Sequence, residues 1–115
     1  MHVVTFDHAP LYEAPGHRDM VMRRIQGREA GPSDTVWLGV SVIGPGGGTS
    51  SSASDVEKFY LVLEGELEVL ACSSTGERKA LLRSHDSCRI APGVSRELRN
   101  PSDRPCTVLL VMPLR

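Results

Sequence analysis

The chain has 115 residues, which is room for one domain with a modest core and too little for a second. Its net charge of −1 and its pI near 6.4 give no reason to expect binding to nucleic acid or to an anionic membrane surface. Residues 1–6 lack the basic region and apolar run of a signal peptide, and no run of about 18 apolar residues exists to span a bilayer. Three widely spaced cysteines (Cys72, Cys88 and Cys106) match no metal or redox pattern, so we expect reduced thiols and a cytoplasmic protein.

Short β-strands are predicted along the whole chain, and no segment has a convincing helical period. Residues 2–6 form a β-like start, followed by a proline-punctuated connection. Further strands are predicted at 20–26, 35–43, 56–63, 66–70, 78–83, 87–91, 94–99 and 107–112. Turns recur roughly every 8–12 residues, which is the spacing of all-β folds. The pattern therefore predicts an antiparallel sandwich or barrel.

The stretch at 44–70, GPGGGTSSSASDVEKFYLVLEGELEVL, organises the rest of the chain. A glycine-proline hinge and a serine-rich segment lead into two strands that a tight Glu64-Gly65 turn joins. Because strand side chains alternate, Lys58, Tyr60 and Val62 share one face of the first strand. The opposite face is also largely apolar, which predicts that this strand is covered on both sides.

This stretch resembles the first motif of the cupin family, which reads glycine, five residues, His-x-His, three or four residues, glutamate, six residues, glycine. Gly46 and Gly65 stand at the two glycine positions. Ser52 and Ser54 stand at the two histidines, and Lys58 stands at the glutamate. The spacing of the motif is kept, whereas its chemistry-bearing residues have changed.

The stretch HDSCRIAPGVSRELRN is similar to the second cupin motif: glycine, five residues, Pro-x-Gly, two residues, His, three residues, Asn. Gly93 and Asn100 are in register, while His85, Ala91 and Arg96 replace the first glycine, the proline and the histidine. The resemblance implies an all-β cupin jelly-roll barrel as a single domain over 1–115, with an N-terminal strand and loop at 1–19 and the barrel at 20–115. It also implies a homodimer.

A cupin metal site needs imidazole nitrogens and a carboxylate that converge on an ion. By the alignment with the family, Ser52, Ser54, Lys58 and Arg96 replace all four ligands. Serine hydroxyls are weak ligands, and the two cations repel a metal ion. We therefore expect neither a metal nor another cofactor.

An improvised metal site built from His85, Cys88 or Glu57 stays open as an alternative, since a one-residue bulge would turn Glu57 inward. The other three histidines, His2, His8 and His17, lie in the N-terminal stretch at spacings that form no ligand pair. We interpret them as surface or loop residues.

Lys58 and Arg96 have two interpretations. In the first, both side chains reach solvent at the barrel mouth or pair with acids such as Glu57 and Glu97. In the second, both project into the barrel beside the hydroxyls of Tyr60 and of two serines, Ser52 and Ser54. Two buried cations then require an anionic partner, and burial lowers the pKa of Lys58 toward the range of a general base or Schiff-base nucleophile.

The second interpretation predicts a small anionic ligand, a carboxylate or a phosphate, bound by Ser52, Ser54, Lys58, Tyr60 and Arg96. Lys58 and Tyr60 are the candidate catalytic residues of a metal-independent isomerase or lyase. Two alternatives remain: a non-catalytic domain that binds or senses such a metabolite, and a metal-dependent oxygenase with atypical ligands.

Overall fold

The computed structural model describes residues 1–114, in which ten antiparallel β-strands form one strongly curved sheet. The strands are β1 (Leu11–Tyr12), β2 (His17–Gln26), β3 (Val36–Thr49), β4 (Ser52–Ala53), β5 (Lys58–Glu64), β6 (Leu67–Ser73), β7 (Gly76–Leu82), β8 (Ser87–Ile90), β9 (Ser95–Arg99) and β10 (Cys106–Pro113). Two single turns of 3₁₀ helix, Phe6–His8 and Arg28–Ala30, complete the regular structure of these residues. Neither turn approaches the length that a membrane-spanning helix requires.

The sheet closes almost completely into a jelly-roll barrel. Its hydrogen-bonded order is β7-β6-β9-β3-β10-β5-β8, with β2 added beside β3, β1 beside β2, and β4 beside β9. The long strand β3 is the centre of this arrangement, because it pairs with β2, β10 and β9. The all-β jelly-roll prediction is confirmed.

The interior of the barrel is filled by the side chains that alternate inward along these strands. Ile43, Val62, Leu67, Leu98 and Val108 are almost fully buried and belong to one continuous core. This core supports the cation-bearing faces of β5 and β9 described below.

The predicted face of β5 is confirmed, but its predicted double cover is wrong. Lys58, Tyr60 and Val62 point inward and are buried. On the outer face, Phe59 is 43% exposed and Leu63 is 39% exposed. Within residues 1–114, the chain lays no second layer over that face, so apolar character on both sides of a strand did not mean cover on both sides.

Several element boundaries differ from the prediction. Residues 2–6 contain no strand, because the chain there makes a loop and the first 3₁₀ turn. The strand predicted at 20–26 begins earlier, at His17, so the barrel starts before residue 20. The two-residue strands β1 and β4 were missed, since two residues are too short to show a period.

The glycine segment at 44–48 is not a hinge between strands but the second half of β3. Gly48 pairs with Arg99 and lies so close to β9 that a Cβ atom would sit 2.0 Å from the carbonyl oxygen of Leu98. The absence of a side chain thus lets the end of β3 lie directly against β9. This contact brings the next residues, 49–52, next to Arg96.

Asn100 forms a fully hydrogen-bonded centre just beyond β9. Its side chain is 0% exposed, and its Nδ2 donates to the carbonyl oxygens of Ile43 at 3.0 Å and Arg104 at 2.6 Å. Its Oδ1 accepts hydrogen bonds from the backbone N–H of Ser102 at 3.0 Å and from the Ser102 hydroxyl at 2.9 Å. Both donors and both acceptors of the amide are therefore used.

Candidate functional site

A cavity of about 170 Å³ lies between the inner faces of β2, β5, β9 and β10 and is partly open to solvent. We name it the cation cavity, because three of its walls carry a positive side chain. Its lining residues are Tyr12, Glu13, Ala14, His17, Arg24, Trp37, Lys58, Tyr60, Arg96, Leu110 and Met112.

Two of the three guanidinium nitrogens of Arg96 have hydrogen-bond partners. It projects inward from β9 and is 7% exposed. Its Nε donates to the Tyr60 hydroxyl at 2.9 Å, and its NH1 lies within 3.3 Å of three acceptors, the hydroxyls of Thr49 and Ser52 and the carbonyl oxygen of Ser50. Its NH2 has no hydrogen-bond partner within residues 1–114. The guanidinium is therefore fixed in place and keeps one terminal nitrogen for another acceptor.

Lys58 projects inward from β5 and is 6% exposed. No carboxylate among residues 1–114 forms an ion pair with either Lys58 or Arg96. Burial lowers the pKa of Lys58 from its ordinary value, and the nearby charge of Arg96 lowers it further. The amine thus loses its proton more easily than an exposed lysine does.

Tyr60 and His17 complete the floor and one wall of the cavity. Burial raises the pKa of Tyr60, an effect that Arg96 partly opposes, so the phenol keeps its proton. The Nδ1 of His17 lies 2.8 Å from the carbonyl oxygen of Pro15, which assigns the ring proton to Nδ1 and leaves Nε2 as an acceptor. Burial is the main cause that lowers the pKa of His17, and the charges of Arg96 and Lys58 lower it further.

Arg24 forms the outer wall and, unlike Lys58 and Arg96, forms an ion pair, although its Nε and NH1 are buried without a hydrogen bond. Its guanidinium lies 3.8 Å from the ring centroid of Tyr12 and 4.2 Å from that of Trp37. Its Nε is 2.7 Å from Glu29 Oε1, an ion pair that lacks hydrogen-bond geometry. The stacking and the acid stabilise the charge of Arg24 without an added ligand.

The structure brings four of the five predicted ligand-binding residues together. Lys58, Tyr60 and Arg96 line the cation cavity, and Ser52 contacts Arg96 at 3.1 Å because the two residues pair across β4 and β9. Ser54 is the exception, since its hydroxyl turns to the carbonyl oxygen of Val56 at 3.3 Å. Neither Lys58 nor Arg96 forms the ion pair with Glu57 or Glu97 that the first interpretation allowed, since Glu57 pairs with Arg89 and no such pair occurs among residues 1–114. Both side chains are mostly buried, and the cavity that they line is partly open to solvent.

His17 is the site residue that the sequence analysis missed. It was interpreted as a loop residue, whereas it begins β2 and lines the cation cavity. Asp19, with φ of 51°, interrupts the register of β2 between Arg18 and Met20. A strict period of two along the strand therefore could not have placed His17 on the inner face.

The residues at the family's metal positions do not fit a metal ion, because they offer two hydroxyls, an ammonium and a guanidinium. The improvised alternative also lacks a ligand set. His85 is exposed in a turn, Glu57 is paired with Arg89, and residues 1–114 contain no cluster of three His, Cys, Asp or Glu side chains. Whether the purified protein carries a metal stays a prediction.

A larger groove of about 410 Å³ lies between β6 and the two sheet edges β7 and β8. Its wall is mostly apolar, and its charged side chains, Arg78 and Arg89, are exposed. The groove thus holds no buried charge that calls for a partner. The smaller cation cavity is the better candidate site.

Comparison with known proteins assigns the class. A family model described as the cupin domain matches residues 39–112. The chain is 36% identical over 104 residues to a β-D-galactosidase of Mycobacterium tuberculosis, a match that covers 90% of this chain and 86% of that protein. The chain therefore belongs to the cupin family, as the two motifs predicted.

Solved structures agree with this fold. The polyketide cyclase RemF from Streptomyces resistomycificus matches with a TM-score of 0.85 at 20% identity, over 100% of this chain and 80% of that one. An RmlC-like cupin from Shewanella frigidimarina matches with a TM-score of 0.78 at 14% identity, over 100% and 92% of the two chains. At these identities the two structures establish the fold alone.

Proposed function

We propose that this cupin binds a small anionic metabolite, a carboxylate or a phosphate, in the cation cavity. One observation carries the proposal: Lys58 and Arg96 are both buried in one cavity, and no carboxylate of residues 1–114 pairs with either. Burying a charge without a partner costs several kcal/mol in a protein interior. An anionic ligand removes that cost.

The two cations suit this role in different ways. The free NH2 of Arg96 offers two N–H donors to an acid oxygen, and the neighbouring contacts to Tyr60 and Ser52 hold the guanidinium in one orientation. The Lys58 ammonium adds a second charge from β5, which also lines the cavity. An acid of small size thus meets donors on two sides, while Leu110 and Met112 provide apolar walls.

Thermal unfolding tests the proposal. Inorganic phosphate and lactate should raise the melting temperature, because a ligand that binds only the folded state stabilises it by mass action. Lactamide, the neutral analogue of lactate, should have little effect. Arg96→Ala and Lys58→Met should each weaken binding at least about tenfold, since a charged hydrogen bond contributes about 1.5–3 kcal/mol.

Matched surface variants control for a general loss of positive charge. Arg99→Ala removes an exposed arginine from the same strand as Arg96, and Lys79→Met removes the other lysine of the chain. Both should bind phosphate and lactate as the wild type does. Equal stabilisation of the wild type and the Arg96 and Lys58 variants by these anions would show that the cation cavity is not the binding site.

The similarity to a β-D-galactosidase supports a second candidate, hydrolysis of a galactoside. Most glycosidases use two carboxylates on either side of the scissile bond, whereas the cation cavity is lined by one, Glu13. The geometry thus favours anion binding. Cleavage of a chromogenic β-D-galactoside by the wild type, lost in Lys58→Met and Arg96→Ala, would establish the second candidate instead.

Two further expectations stay predictions. The cupin resemblance predicts a homodimer, and the exposed Phe59 and Leu63 on the outer face of β5 form an apolar surface that such a contact could cover. The three free cysteines, Cys72, Cys88 and Cys106, are typical of a reducing compartment, so we also expect a cytoplasmic protein.

A further inference from the structure

The two lysines of this chain occupy opposite environments. Lys58 is buried in the cation cavity, whereas the side chain of Lys79 is 63% exposed and lies 3.5 Å from Glu68. Lys79 has the solvent and the acid that keep an ammonium charged. Lys58 is only 6% exposed and forms no ion pair among residues 1–114, and the charge of Arg96 acts on it.

Arg96 and Lys58 also differ in whether their side chains can lose a proton. A guanidinium stays protonated in proteins, so Arg96 remains an anion-binding group under all ordinary conditions. A lysine amine loses its proton when it is desolvated beside another cation, and the neutral amine is a nucleophile toward carbonyl carbon. The cavity thus combines a permanent anion site with an adjacent amine that can react.

We propose, as an extension that rests on the anion binding proposed above, that Lys58 forms an imine with a small oxo acid whose carboxylate is held by Arg96. The smallest 2-oxo acid, pyruvate, carries both groups that the cavity recognises. A carboxylate meets the free NH2 of Arg96, and the adjacent carbonyl carbon faces the Lys58 amine on the neighbouring wall.

The size of the cavity fits this class of ligand. Its volume of about 170 Å³ is comparable to engineered cavities of about 150 Å³ that hold benzene. Benzene and pyruvate have the same number of non-hydrogen atoms. A compact oxo acid therefore fills the space that the lining residues enclose, without displacing a side chain.

The reaction needs no oxidant, reductant or further reactant. The neutral amine of Lys58 attacks the carbonyl carbon, and the carbonyl oxygen takes a proton to give a carbinolamine. The nitrogen lone pair then forms the C=N bond as the C–O bond breaks, and the oxygen leaves as water with the two hydrogens that the amine loses. Tyr60 relays the proton, because its hydroxyl accepts from Arg96 Nε and keeps its own O–H free: it gives a proton to the carbonyl oxygen and regains one from the amine nitrogen.

Reductive trapping tests the inference. The wild-type protein is incubated with pyruvate and cyanoborohydride, which delivers hydride to an imine carbon, and the two lysine-containing peptides are compared by mass spectrometry. We expect a reduced carboxyethyl group on Lys58 at a level at least tenfold above that on Lys79. Lactate has no keto group and should leave no adduct. Acetone has a keto group but no carboxylate and should modify Lys58 at least tenfold less than pyruvate does.

Arg96→Met separates the two parts of the mechanism. It should reduce the ratio of pyruvate trapping to acetone trapping on Lys58 at least tenfold. Loss of the Arg96 charge makes the amine less reactive toward both compounds, but only pyruvate also loses its carboxylate partner. Lactate that raises the wild-type melting temperature, with equal pyruvate labelling of Lys58 and Lys79, would overturn the imine and leave the anion site intact. Failure of lactate and phosphate to stabilise the protein, together with no labelling preference, would overturn both proposals.

Discussion

Two buried polar centres differ in how their groups are paired: Asn100, in the turn after β9, and the cations Arg96 on β9 and Lys58 on β5. Asn100 is neutral, and all four hydrogen-bonding positions of its amide are occupied by the protein itself. Lys58 and Arg96 form no ion pair with an acid of residues 1–114. The first centre is thus fully paired within the protein, whereas the second lacks an ionic partner among these residues.

This difference is what we expect if Asn100 has a structural role and the two cations have the proposed binding role. Buried charges are usually paired in proteins, so two buried cations without an ion pair require an explanation. Natural proteins tolerate local departures from this rule at functional sites, where stability is given up for binding or reactivity. Both centres occupy positions of the two cupin motifs, but only Asn100 keeps the family's residue.

The largest effect on stability is expected from Asn100→Ala. Removing the amide takes away the buried donor to the carbonyl oxygen of Ile43 and one of the two donors to that of Arg104, and an unsatisfied buried group costs about 1–3 kcal/mol. The free energy of unfolding in urea should fall by about 3 kcal/mol, while the affinity of the folded protein for phosphate should stay the same.

Ser102→Ala is the matched control for Asn100, because it keeps the amide and removes the hydroxyl that bonds to Asn100 Oδ1 and to the backbone of Arg104. Two of these three hydrogen bonds are exposed, where water replaces the lost partner, so Ser102→Ala should destabilise the protein less than Asn100→Ala does. A loss of phosphate affinity in Asn100→Ala would contradict the separation of the two centres.

A smaller effect of opposite sign is expected from Lys58→Met. Methionine keeps much of the lysine stem and removes the unpaired charge, and replacing buried charged groups by apolar ones of similar volume can stabilise a protein by about 1–4 kcal/mol. In a buffer without binding anions, the free energy of unfolding should rise by about 1–2 kcal/mol. Lys79→Met should change it by less than about 0.5 kcal/mol, as surface substitutions do. A destabilised Lys58→Met variant would show that the ammonium has a partner in the folded protein.

The spacing of the two motifs predicted most of the fold and part of the site. It predicted the jelly roll and the inward face of Lys58, because a period of two is a property of the strand itself. It did not predict His17 or the hydrogen bond of Ser54 to the carbonyl oxygen of Val56. Both depend on local backbone geometry, the interruption at Asp19 and the end of the short strand β4, which a regular period does not contain.

The partners of Arg24 were also beyond the sequence. Tyr12, Trp37 and Glu29 meet this side chain from three separate segments, so its stacking and ion pair arise only when the strands are assembled. The sequence analysis therefore could not distinguish a cation that the protein stabilises from the two that it leaves unpaired.

The smallest predicted effect is a pH dependence that isolates Lys58. Its pKa is lowered in the folded protein by burial and by Arg96 relative to 10.5, the value taken for the unfolded chain. Between the lowered value and 10.5 the unfolded chain binds more protons, so the free energy of unfolding should rise with pH, by at most about 1.4 kcal/mol per pH unit for one proton.

His17, with its lowered pKa, adds a rise below pH 6.5, and Tyr60, with its raised pKa, adds a fall above pH 10. Subtracting the Lys58→Met curve from the wild-type curve between pH 7 and pH 9.5 removes both contributions, and the difference should climb in favour of the wild type. A flat difference over that interval would mean that the amine titrates as an ordinary exposed lysine does, and the contrast with Asn100 would then rest on Arg96 alone.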